Sequence, residues 1–168
     1  MTLGEGQRSS FADFVQQKAE ADIAQARRSA EVYVGQQQVE YDANLEFVNG
    51  LEVLEDLRNG AHQYRDKTKR RAWLDISARP DIKEDPDDPV YPQVVGSPDL
   101  TVTYSWEPIG TKGVQYSVRL VARKEMLIVE SSKRTPTEFP KESVNRDQVV
   151  VALQAGYETP LVNGQIYS

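Results

Sequence analysis

The stretch VEYDANLEFVNG, residues 39–50, has two readings, and the choice between them decides the fold. From Val39 to Phe47 apolar and polar residues alternate without a break, and Asn49-Gly50 follows, a pair favoured in tight hairpins. The same residues also begin a helical stripe: Val39, Ala43, Phe47, Leu51, Leu54, Leu57, Ala61 and Tyr64. Glu, Asp, Ala and Asn are poor strand formers, and the flanking GQQQ and LEVLEDLRN favour helix. We read helix, with Gly50 or Gly60 as its breaks.

Upstream, the helical signal is plain. Ser10 stands three residues before Asp13, close to the capping-box pattern with Asp for the usual Glu. Phe11, Val15, Ala19, Ile23, Ala26, Ala30 and Val34 then follow at spacings of three or four, on one helical face. Much of this stripe is alanine, so it permits close approach and buries little area per residue. An amphipathic helix of this kind needs a partner, either its own chain or a neighbouring subunit. Phe11, Val15, Ile23 and Val34 are its candidate interface residues.

Downstream the character changes. PDIKEDPDDPVYPQVVGSP, residues 80–98, holds five prolines and is strongly acidic in its first half. Proline at that density suits neither helix nor sheet, so the segment reads as a stiff, extended connector. Strand patterns come next. Leu100, Val102, Tyr104 and Trp106 alternate onto one side, and residues 113–122 and 126–129 are rich in β-branched residues. These predict a three-stranded antiparallel meander with one apolar face. Residues 135–140 read as loop. NRDQVVVALQAGY is either a helix capped by Asn145 and ended by Gly156, or a strand centred on Val149 to Val151. Asn163-Gly164 inside residues 161–167 predicts paired strands at the end of the chain.

The sequence therefore predicts an α+β protein: a helical segment over residues 1–79, a Pro/Asp connector over 80–98 and a small antiparallel β domain over 99–168. Each half is short of core alone, so the halves must pack together or on neighbours.

Charge divides the 168 residues in the same places. The chain carries −6 overall, at 39% hydrophobic and 27% charged residues, within the globular range. Residues 1–64 carry −6, 65–79 carry +4, 80–99 carry −5 and 100–168 carry +1. The basic cluster KTKRRAW, Lys67 to Trp73, could contact phosphates while Trp73 stacks on a base. It also follows a helix, whose C-terminal end favours cations, and precedes an acidic run able to neutralise it. In a chain of pI 4.9 we read it as a helix end, and nucleic acid is not an expected partner.

No chemistry announces itself. The absence of cysteine excludes disulfides, thiolate metal sites and cysteine nucleophiles. Asp81, Glu84, Asp85, Asp87 and Asp88 lack the glycine and glutamate spacing of a calcium loop and read as solvated linker. His62 is the single histidine, too few for an ordinary zinc site. EPIGTKG lacks the spacing of a phosphate loop, and no serine sits in a nucleophile elbow. No cofactor, metal or catalytic residue is expected. Without a secretory core or a membrane-length apolar run, the chain reads as soluble and cytoplasmic.

The leading expectation is a non-catalytic structural or assembly subunit, partnered by copies of itself or neighbouring subunits. A virion component, such as a bacteriophage head, neck or tail protein, is one setting, although no residue motif carries it. The rivals are a β-domain module that binds a peptide or small ligand on a sheet edge or exposed face, with Tyr104, Trp106 and Tyr116 as its candidate residues, and a small cysteine-free hydrolase or lyase.

Overall fold

The computed structural model describes residues 10–88 and 90–163. The chain is α+β. Helix α1 runs without interruption from Phe11 to Gly50, 40 residues or about 60 Å at 1.5 Å per residue. Its first turn carries a complete capping box: the Ser10 hydroxyl accepts from the Asp13 N–H, and the Asp13 carboxylate accepts from the Ser10 N–H. VEYDANLEFVNG is thus the last three turns of a helix, and its alternation is incidental. Its buried positions are Val34, Tyr41, Asn44 and Val48, whereas Val39, on the predicted stripe, is exposed.

The break falls where expected at Gly50, but not at Gly60. Glu52 takes a left-handed conformation, φ 59°, and turns the chain into α2 (Val53–Thr68). A non-glycine residue there costs on the order of 1 kcal/mol. Burial of Val48, Val53 and Leu54 on either side of the bend offsets it. Gly60 lies within α2.

Next comes β1 (Ala72–Ile76), a strand inside the range read as helical. The excursion β2 (Asp81–Lys83) and β3 (Gln93–Val95) follows, then β4 (Leu100–Trp106), β5 (Tyr116–Ala122), β6 (Met126–Glu130) and β7 (Thr137–Pro140). Helix α3 (Arg146–Glu158) and β8 (Leu161–Val162) complete the described chain. The antiparallel sheet has the order β1-β4-β5-β6-β7, and β8 pairs with the start of β5. The meander of β4, β5 and β6 is as predicted, while residues 137–140 are strand rather than loop. For residues 146–158 the helical alternative holds: Asn145 and Gln148 form a second capping box, and α3 continues two residues past Gly156. Residues 164–168, which held the rest of the expected terminal hairpin, lie outside the described part.

The segment read as an extended connector folds back on itself. Its prolines lie outside the two pairing triplets, so Asp81–Lys83 and Gln93–Val95 have every N–H available and form a two-stranded sheet. Gly96 leaves this hairpin at φ 89°, where a Cβ would come within 3.0 Å of the Pro80 Cα. The hairpin lies against α1: Gln38 donates to the Pro80 carbonyl at 2.8 Å, and Arg79 grips Asp42 through two hydrogen bonds. Glu84 pairs with Arg27.

Register places most of the sheet's buried apolar residues on one side, while Val121 and Ile128, paired across β5 and β6, are buried on the other. Leu100, Val102 and Tyr104 stand opposite Ala122, Leu120 and Val118, and these in turn meet Leu127 and Val129 on β6. The C-terminal half of α1, with α2 and α3, covers that face and shares one core with it. Gly156 of α3 marks the closest approach, since a Cβ there would lie 2.6 Å from Val118 Cγ2. Gly156→Ala is therefore expected to lower the melting temperature by several degrees, about 1–3 kcal/mol of overpacking. A melting temperature equal to the parent's would show that α3 stands clear of the sheet.

Candidate functional site

The basic cluster closes α2 and starts β1. Lys69 adopts the left-handed cap conformation, φ 57°, with its N–H on the Arg65 carbonyl at 2.9 Å. Arg65 donates to the Ala72 carbonyl, tying the helix end to the strand. Arg71 lies 4.8 Å over the Trp73 ring and 3.6 Å from Glu107, and the Trp73 indole N–H donates to Asp75. The helix-end role is realised with different acids from those expected: Asp66 and Glu107 meet the cluster, whereas the connector's Glu84 goes to Arg27. Asp85 and Asp88 accept from backbone N–H groups of their own loop. His62 is exposed on α2. Among the described residues no group of three or more His, Asp or Glu side chains could hold a metal ion. None of their helices is long and apolar enough to cross a membrane.

Two features remain without a structural role. The first is the N-terminal part of α1. Every residue from Phe11 to Gln25 is exposed, including Phe11 at 81%, Val15 at 46% and Ile23 at 38%. Val34, the fourth candidate interface residue, is buried against its own chain. The stripe is therefore divided: its inner end is in the core, and its outer end stands free as an arm.

The second is a groove of about 690 Å³ between α2 and α3. Its walls are Leu57, Gly60 and Tyr64 on one side and Val150, Leu153 and Tyr157 on the other, with Tyr104 and Val118 beneath. The Arg146–Asp56 ion pair, 3.2 Å, joins the first turns of the two helices and sets them side by side. The tyrosines expected on an open face are differently placed. Tyr104 and Trp106 are 6% and 3% exposed, because α3 covers them: the Tyr157 ring stacks on Trp106 at 4.2 Å. Tyr116 meets the Trp106 edge at 6.0 Å. Of the three, only Tyr104 lines the groove. Tyr64 and Tyr157, which share it, were not singled out from sequence, since neither lies on the alternating strand.

Burial raises the phenol of Tyr104 to about 12, helped by the neighbouring Tyr157 and Tyr64. Burial also raises Tyr64 and Tyr157. At neutral pH the Tyr104 hydroxyl is protonated and can donate a hydrogen bond; it is no base. Comparison of the chain with protein-family models, curated proteins and solved structures gives no match.

An elevated phenol binds its proton more tightly in the folded than in the unfolded chain. Its contribution to stability is complete below pH 10 and is lost as pH rises through about 12. Tyr104→Phe should therefore flatten the fall in melting temperature over that window, and should remove the latest step in the 295 nm absorbance titration. Identical alkaline profiles in both proteins would place Tyr104 in a solvated setting.

Proposed function

We propose that this protein is a non-catalytic structural subunit that joins a larger assembly through the outer part of α1. The single observation that carries this reading is the unbroken exposure of Phe11 to Gln25 on a helix whose other half lies in the core. An isolated helix of about 15 residues is marginal in water, and large apolar side chains on it gain nothing by facing solvent. Packing against copies of this chain or a neighbouring subunit would bury Val15 and Ile23 and would extend the seam that Val34 already makes with the body. The alanines between them suit close helix approach. A repetitive shell or tube, such as a bacteriophage head, neck or tail, is the narrower form of the proposal; otherwise the assembly is cytoplasmic.

Sedimentation of the full chain across a concentration series tests the reading. The parent should self-associate. Ile23→Asp places a charge on the seam and should weaken association at least tenfold, about 1.4 kcal/mol or more, without changing the melting temperature of the dissociated chain. A parent that remains monomeric, with Ile23→Asp indistinguishable from it, overturns self-assembly through this face.

A further inference from the structure

Glycine is among the poorest helix formers, yet Gly60 occupies a middle turn of α2. It does not end the helix, and its own Cβ position is not crowded. A Cβ built there would meet one atom within 4 Å, the Tyr104 hydroxyl oxygen, at 3.9 Å. That is ordinary contact distance, so alanine would fit, and its methyl would cover the hydroxyl. The glycine leaves uncovered the polar end of a side chain that is otherwise nine-tenths buried. The Tyr104 hydroxyl has no hydrogen-bond partner among the described residues, and Tyr104 lines the groove. A phenol O–H at the floor of a mainly apolar groove is free to donate to a bound group.

We propose that the groove between α2 and α3 binds a small, largely apolar molecule whose neutral carbonyl accepts a hydrogen bond from Tyr104. Leu57, Val118, Val150 and Leu153 supply the apolar walls, and the volume of about 690 Å³ lies within the range of small-ligand sites. Charge argues for a neutral ligand. Asp56 is tied to Arg146, and Lys67 and Glu158, of opposite sign, stand on the last turns of the two helices at the other end. No net charge is left to hold an ion. This inference is independent of the assembly reading, because the groove lies on the body and the arm is formed by other residues.

The probe is naphthalene-2-carboxamide, titrated into the full ¹⁵N-labelled chain and followed by amide shifts. Binding should shift Gly60, Tyr104, Leu153 and Tyr157. Tyr104→Phe, which keeps the ring, and Gly60→Ala, which covers the hydroxyl, should each weaken it at least fivefold. Gly60→Ala should melt at or above the parent temperature, so its loss of binding is not a loss of fold. Naphthalene-2-carboxylate, the charged analogue, should bind at least fivefold more weakly than the amide. Absence of groove shifts up to the solubility limit of the amide overturns the proposal. So does equal affinity in Tyr104→Phe, or a carboxylate that binds as tightly as the amide.

Discussion

Leu100, Val102, Tyr104 and Trp106 on β4, with Val118, Leu120, Ala122, Leu127 and Val129 on its neighbours, make one continuous apolar face that must be kept from water. The other elements are arranged by that requirement. A sheet with one apolar face is stable only when another layer lies over it, and here the layer is the inner half of α1 together with α2 and α3. The opposite side is mixed: Arg119 and Glu130 stand directly across from each other with 3.5 Å between charges, and on the same face Val121 and Ile128 are paired and buried.

The helical layer is located by polar contacts as well as apolar ones. Asn44 is 1% exposed, yet its amide is satisfied on both sides: it donates to the Pro98 carbonyl at 2.9 Å and accepts from Lys141. It therefore joins α1 to the entry of β4 and to the exit of β7. Lys141 also lies 5.1 Å over the Phe47 ring, and its burial lowers its pKa. Tyr41 donates to the Ser77 carbonyl at 2.5 Å and Gln38 to that of Pro80. These bonds fix the azimuth of α1 on the body, and hence the direction in which its free half points.

The arm and the groove are two places where cost lacks a structural return. Exposed Phe11 and Val15 gain nothing in water, and Gly60 weakens α2 without turning it. The two proposals assign each to a molecule other than this chain: a protein surface along the arm, and a small neutral ligand in the groove. The two readings use different residues and different physics, one apolar area and close backbone approach, the other a single hydrogen-bond donor between apolar walls.

Local sequence determined the elements whose signals are local. Ser10 with Asp13 caps a helix within four residues, and the alternation of Leu100 to Trp106 marks a strand with one buried side. Asn145 signalled a cap, but the run Val149 to Val151 left a strand equally open until the structure showed its box with Gln148. The short strands β1, β2, β3 and β7 were not legible, since a strand of three to five residues acquires its identity from the strand it pairs with. The prolines of residues 80–98 hid a hairpin for that reason: pairing uses the triplets between them. The stripe from Phe11 to Val34 was visible, but only the placement of the body showed that Val34 is covered and Ile23 is not. Tyr104 could be singled out as a residue of interest, whereas its burial and its meeting with Gly60, Tyr64 and Tyr157 depend on α2 and α3 lying side by side. Residues 40 and more positions apart in the chain meet there, and no local pattern encodes that contact.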